Sequence, residues 1–212
     1  MKRNKIIFNS IILFLCFSAC KEDPAILQPY DIGLEKTFLE AKETSVWRYV
    51  RTFNGDTIVE NPLIVQIAEQ DSIIEGLGYK WFYEEISEDS LSAVFLFRLQ
   101  DKTMYQTFYV NGDSTIIEHA PEIEFDKLLN ESWEVSTSDL ASRILYIDSV
   151  GFNYKGLPNV FRLISEEYWM GGFAAKSEWY WQMEVGLIQR RNIDNLNGNE
   201  FVMDLEFYEV NY

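Results

Sequence analysis

The chain has 212 residues, of which 34 are acidic, 18 basic and one a histidine, for a formal charge of −16. That balance excludes nucleic-acid binding, which rests on cationic neutralisation of phosphate, and adhesion to anionic headgroups through a basic face. The plain effect of the charge is solubility.

Residues 1–19 read as a secretory leader. Lys2, Arg3 and Lys5 give a positive start, an apolar stretch of about 12 residues runs from 6 to 17, and the small residues Ser18-Ala19 follow. A membrane-crossing helix needs about 20 apolar residues, and Asn9 and Ser10 interrupt this stretch. Phe17-Ser18-Ala19-Cys20 resembles the lipobox of bacterial lipoproteins, although Leu is commoner than Phe at its first position. The resemblance implies cleavage between Ala19 and Cys20, a diacylglycerol on the Cys20 thiol and acylation of its new amino group. The alternative is an ordinary secreted protein cut near Ala19. Burial of lipid contributes about 0.8 kcal/mol per CH₂, so one myristoyl chain is marginal and two or three hold stably. The implied address is the bacterial envelope, with lipid attachment to the outer membrane.

Lys21-Glu22-Asp23 resembles the export signal of surface-exposed lipoproteins in some Gram-negative bacteria; a solvated charged linker is the other reading. The leader takes three of the basic residues and none of the acids, so the remaining 193 residues carry a formal charge of −19. Cys16 leaves with the leader and Cys20 is lipidated, so no disulfide or thiol chemistry is left to the folded part. That is permissible because a chain of this size builds a core without staples. Residues 20–33 form the lipidated Cys and tether, in which Pro24 and Pro29 resist regular structure. At about 3.5 Å per residue the tether reaches some 40 Å. Residues 34–212 are expected to form a single β domain.

Within 34–45, Leu34, Phe38, Leu39 and Ala41 are spaced to line a short helix. From Val46 onward the pattern is β: Trp47, Tyr49, Arg51 and Phe53 interleave with Arg48 and Thr52. Further strands are expected over 63–69, 79–86, 93–99, 104–110, 144–150 and 159–166. Trp179, Trp181, Met183 and Val185 alternate with Glu178, Tyr180, Gln182 and Glu184, and Phe201, Met203, Leu205 and Phe207 alternate likewise. Such alternation puts one face on a core and the other in water, the habit of antiparallel sheets. Asn54-Gly55 and Asn111-Gly112 sit between strand-like runs and favour type I′ hairpins. Asn197-Gly198 precedes the last strand similarly. Residues 121–139 are expected to hold a short helix or an irregular crossing. The fold class is mostly β: a single antiparallel barrel, half-barrel or sandwich of about 9–11 strands with one or two short helices.

The ending, from Glu178 through Trp179-Tyr180-Trp181 and the final strand, is similar to the closing hairpin of several uncharacterised envelope lipoproteins. Some of these are thought to adopt curved sheets like those of the LolA/LolB lipoprotein carriers. The similarity covers about 35 residues and implies a fold tendency without an activity.

No residue earns a catalytic role. A Ser-His-Asp arrangement would need His119, and no Gly-x-Ser-x-Gly elbow is present. One His and no spare Cys cannot make the usual zinc set. Gly171-Gly172 lacks the Lys-Ser/Thr of a phosphate loop, and no EF-hand loop exists, so no metal or cofactor is expected. Acids are abundant at Glu84-Glu85, Glu88-Asp89, Glu122, Glu124 and Glu166-Glu167, and two facing carboxylates would serve a glycosidase; solvated strand faces are their ordinary use. Aromatics make up 16% of the chain, and their alternation assigns most of them to a core. Tyr168, Trp169, Met170 and Phe173 surround a Gly pair between two strands, where they form either a contact patch or a plug over a barrel end.

Three functions compete: a tethered non-enzymatic binding or interaction module, a carrier of a lipid or other apolar ligand in a curved sheet, and a carboxylate-dependent envelope hydrolase. Partners in view are the membrane through Cys20 and an envelope protein, glycan or lipid ligand. Replacing the cysteine (Cys20→Ala) is expected to move the protein from membranes to the soluble envelope fraction; retention in washed membranes refutes the anchor.

Overall fold

Alternating sequence becomes a ribbon of antiparallel strands. The computed structural model of the chain describes residues 32, 34–58, 63–67, 72–74, 77–87, 90–109, 120–138 and 140–212. The leader, Cys20, the tether 20–31, Asn111-Gly112 and His119 lie outside the described residues.

The first half of the sheet is built from β1 (Val46–Phe53), β2 (Asp56–Thr57), β3 (Leu63–Ile67), β4 (Ser72–Ile74), β5 (Leu77–Ser87), β6 (Ser90–Gln100) and β7 (Thr103–Tyr109). The second half adds β8 (Ala120–Glu124), β9 (Ser132–Ser138), β10 (Ala141–Tyr154) and β11 (Leu157–Trp169). It ends with β12 (Gly172–Gln182), β13 (Gly186–Asp194) and β14 (Glu200–Glu209). The order across the sheet is β8-β7-β6-β5-β3-β1-β14-β13-β12-β11-β10-β9, with β2 paired to β1 and β4 to β5. The first and last long strands therefore meet in the middle, where Val46 opposes Glu209 and Phe53 opposes Phe201. The end strands β8 and β9 approach each other but share no ladder among the described residues, so the sheet is not closed.

The class is mostly β and antiparallel, as alternation implied. Among the described residues the strands number 14, above the expected nine to eleven: β2 and β4 are two- and three-residue pairings too short to show a period, and β8 and β9 fall where no strand was expected. The expectation of a helix or irregular crossing over 121–139 is corrected: β8 and β9 occupy most of it, joined by a turn at 125–131. Trp133 and Val135 are buried at i, i+2 spacing in β9, but Ser136-Thr137-Ser138 follow them and cut the period short. The helix expected in 34–45 is a single 3₁₀ turn, Phe38–Glu40.

Curvature follows from what one ring touches. In a flat sheet β6 and β12, six steps apart in the order, would be separated by about 29 Å. Phe38 lies 5.8 Å from Phe97 of β6, 5.7 Å from Trp181 of β12 and 5.5 Å from Phe82 of β5, centroid to centroid. The sheet therefore wraps round a shared interior into which the 3₁₀ turn inserts. Phe38 N–H donates to Met183 O (2.6 Å), and Lys42 N–H to Asn211 O (2.7 Å), pinning this segment across the β12–β13 turn and the C-terminal end. Leu34 and Leu39 pack against the same cluster.

Tight turns bound the strands. Asn54 and Gly55 adopt φ of 49° and 85°, the left-handed pair that a two-residue type I′ hairpin requires. Gly186 has φ of 98°, and a Cβ placed on it would lie 3.4 Å from Cγ of Phe38. The backbone sign favours glycine there, and the plug ring packs against it at van der Waals distance.

The outer face of β10–β14 carries a polar and aromatic layer. Arg162 makes a two-pronged pair with Asp148, Nε–Oδ1 2.9 Å and Nη2–Oδ2 2.5 Å, which raises the pKa of the guanidinium. Tyr154 stacks on Tyr180 at 4.2 Å and donates to Gln189 at 2.7 Å. Burial, then Tyr180, pushes its hydroxyl up to about 12, so it stays neutral at physiological pH.

Removing the plug ring (Phe38→Ala) is expected to cost about 3 kcal/mol or more, the range for buried Phe truncations. Gly186→Ala is expected to cost about 1–3 kcal/mol from backbone strain alone. Urea denaturation checks both. An unchanged midpoint for Phe38→Ala would show that the plug ring contributes nothing to the fold, and one for Gly186→Ala that the corner carries no strain.

Candidate functional site

Period-two geometry sends alternate side chains of each strand to the inner face, and cross-strand partners share that face. Trp179 and Trp181 of β12 therefore point inward together, with ring centroids 6.5 Å apart. Trp179 is opposite Arg190 of β13, Arg190 is opposite Met203 of β14, and Met203 is opposite Arg51 of β1. Tyr49 and Trp47 of β1 face Leu63 and Val65 of β3. Phe82 and Phe97 complete the wall from the other flank, and Phe38 covers it.

These walls enclose a cavity of about 100 Å³ within a cleft of about 670 Å³ when its open side is counted. The enclosed part is smaller than the apolar cavity of about 150 Å³ that holds benzene, so a ligand would have to extend into the open cleft. The lining is mostly aromatic and aliphatic. Among its described residues Arg190 alone is charged, and Gln106, 9% exposed, is the one amide. The guanidinium carbon of Arg190 lies 4.7 Å from the centre of the Trp179 ring, a cation–π contact.

Hydrogen bonding divides the polar aromatics of the wall. Trp47 Nε1–H donates to Val185 O at 2.6 Å, and Tyr49 O–H to Leu187 O at 2.8 Å. The indole N–H groups of Trp179 and Trp181, side chains 5% and 3% exposed, have no acceptor among the described residues. A buried donor left unmatched costs about 1–3 kcal/mol. One step along β11 and β12 the inner face turns polar: Ser165 and Ser177 are buried, and Asn192 Nδ2 donates to Ser177 Oγ at 2.9 Å.

A second feature lies at the hairpin tips. The strands run straight into a two-residue turn at Met170-Gly171 (φ 49° and 79°). The Tyr168–Phe173 segment is thus a hairpin tip, with β11 and β12 paired as far as Trp169 opposite Gly172. Trp169, Met170 and Phe173 are exposed by 58%, 72% and 38%. Tyr168 differs: it is half-buried, donates to Glu166 at 3.2 Å and packs 5.7 Å from Phe173. The neighbouring tips bring exposed Leu140 and Leu196 to the same end, joined through Met170 N–H to Leu140 O (2.7 Å) and Asn195 N–H to Ala174 O (2.9 Å).

Of the acids that could have formed a catalytic pair, Glu167 lies beside Glu166 in β11. Glu166 accepts from Tyr146 and Tyr168, and Glu124 pairs with Lys127 at 3.3 Å. The side chains of Glu84, Glu85, Glu88, Asp89 and Glu122 lie outside the described residues. Sequence reasoning assigned Trp179 and Trp181 to the core, where the structure places them, and said nothing of the hydrogen bonding of their indole N–H groups. Their neighbours across the sheet, which decide it, come from distant positions. Leu140 and Leu196 were missed because each is a lone apolar residue in a polar turn.

No protein-family model matches the chain, and no curated protein does. The chain is similar to the crystal structure of a putative outer membrane lipoprotein-sorting protein domain from Vibrio parahaemolyticus. The two are 11% identical, with 78% of this chain and 84% of that chain covered, at a TM-score of 0.42.

Proposed function

We propose that this protein is a membrane-anchored lipoprotein of the bacterial envelope, outside the enzymes, whose curved sheet binds an apolar ligand. One observation carries this reading: an aromatic-walled cavity on the inner face of the sheet, with two buried indole donors unmatched. Ligand sites are typically concave and mainly apolar with a few placed polar groups, and this cavity has that make-up. It favours the ligand carrier over the hydrolase, for which the described acids offer ion pairs and tyrosine hydrogen bonds instead of a facing pair. The anchor and the envelope address rest on the lipobox resemblance at Cys20.

The test is binding of a neutral apolar dye, N-phenylnaphthylamine, followed by its fluorescence, with wild type and Val65→Phe compared. Val65 lines the cavity and is half-buried, so the larger ring fills it. Wild type is expected to bind, and the variant to bind at least about tenfold more weakly, since filling the cavity removes the dye's burial. Overpacking costs typically 1–3 kcal/mol, so the unfolding midpoint is measured alongside. Dye binding that ignores the substitution would locate the ligand elsewhere; absence of binding to wild type would end the reading.

The exposed tips favour a second reading, contact with an envelope partner. Leu140, Trp169, Met170, Phe173 and Leu196 make one apolar rim, and clustered apolar exposure marks interaction surfaces. A photo-crosslinker at Met170 is expected to give one discrete product in intact cells, and the same group at exposed Asn153 to give none. Equal labelling at both positions would dismiss the rim.

A further inference from the structure

The other glutamine side chains that the structure describes are engaged. Gln66 accepts from Tyr83 and Gln182 from Val185 N–H; Gln100 bonds to Arg98, and Gln189 lies between Tyr154 and Asp204. Gln106 of β7 is the exception: at 9% exposed, it hydrogen-bonds to no described residue. The ladder sets its direction. Gln106 is opposite Phe97 of β6, and Met104, two positions before it, is buried in the core. Cross-strand partners and i, i+2 neighbours share a face, so the amide is on the inner face, where it lines the cleft with Phe97 and Phe82. β6 and β8 flank β7 and cover its backbone on both edges, so the area of Gln106 that stays open belongs to its side chain. A primary amide carries two donors and an acceptor, with one N–H beside the C=O. In an otherwise apolar wall, such a group selects ligands by whether they complete it.

We propose that the ligand is uncharged and presents a donor and an acceptor on neighbouring atoms, as a primary carboxamide, a lactam or a urea does, and that Gln106 pairs with both. This rests on the apolar-cavity reading above. The apolar body of the ligand lies among Phe82, Phe97 and Leu63, and its polar head meets the Gln106 amide in the open part of the cleft. Ligand N–H donates to Gln106 Oε1, and Gln106 Nε2–H donates to the ligand oxygen. Competing head groups complete half of this pair. An ester accepts from Nε2–H and leaves Oε1 unmatched. A carboxylate, acceptor-only when ionised, sets its second oxygen against Oε1. An ammonium satisfies Oε1 and leaves the N–H. A single hydroxyl oxygen meets one side of the amide at a time. Either ion also has to leave water for a mainly apolar wall, a cost that a neutral head avoids.

Isothermal titration with octanamide, methyl octanoate, 1-octanol and octanoate separates these head groups. The full chain is used with Cys20→Ala, so that no attached acyl group competes for the cavity; this protein is the reference. Octanamide is expected to bind most tightly, about fivefold or more above methyl octanoate, for the one further neutral hydrogen bond it makes. Gln106→Met keeps the side-chain length without the amide, and Gln106→Asn withdraws the amide by one CH₂. Each is expected to bring the ratio of octanamide to methyl octanoate affinity down to about one or below. The unfolding midpoint of each variant is measured alongside; where a variant does not fold, the order of the four probes on the reference protein decides. Another probe that equals or exceeds octanamide there, or an octanamide preference that survives both substitutions, overturns the Gln106 assignment and leaves the apolar cavity standing. Failure of all four probes to bind the reference protein overturns both.

Discussion

The structure depends on filling the inside of a bent sheet. A ribbon of strands that curls far enough to bring β6 near β12 encloses a space that its own side chains must occupy. Most of that space is taken by aromatics arriving from both flanks, and Phe38 stands where they converge, within 6 Å of Phe82, Phe97 and Trp181. That ring comes from a segment outside the sheet, held by its own N–H to Met183 O. Gly186, at a φ of 98°, turns the β12–β13 corner against which the ring packs. Curvature, plug and corner form one constraint: change any of them and the wall residues lose their common centre.

The candidate site is what this packing leaves over. Large rigid rings do not tile a curved surface without gaps, and the remaining gap is bounded by Trp179, Trp181 and Arg190. Packing by itself would make it an apolar void. The polar groups change its meaning. Two donors buried without partners are a standing cost that a core built only for stability would shed by using Phe or Leu. Arg190 and Trp179 face each other because β12 and β13 place them opposite one another, and Met203 separates Arg190 from Arg51 through the β14 and β1 ladders. The inner face thus grades from aromatic rings through cationic groups to the buried serines, with apolar tips exposed beyond.

The two faces of the same strands divide the labour. Outside, tyrosines, carboxylates and arginines satisfy one another, as in Arg162 with Asp148 and Tyr154 with Gln189. Inside, apolar rings predominate and the donors are incompletely matched. The rim is a third environment, in which Trp169 and Met170 gain little from the fold beneath them. Met170 takes a left-handed backbone in a two-residue turn, a conformation that a long unbranched side chain adopts only where the paired strands impose it.

The sequence by itself determined the strand faces. Alternation at 47–53, 159–166 and 178–182 told inward from outward residues, and Asn54-Gly55 announced its hairpin through the φ values it tolerates. The lipobox resemblance at Cys20 is likewise a local pattern, carried by neighbouring residues alone. Alternation failed where polar residues interrupt it, at β9, and where strands are too short for a period, at β2 and β4. It was also silent on curvature. A period of two says which side chains share a face but not how far that face bends, because bending depends on twist and pairing summed over many strands. Only the tertiary structure could bring Phe38 between β6 and β12, leave Trp179 and Trp181 without acceptors while Trp47 and Tyr49 found theirs, and gather Leu140, Met170 and Leu196 onto one rim. Each of those outcomes joins residues dozens of positions apart, and no local pattern carries that information.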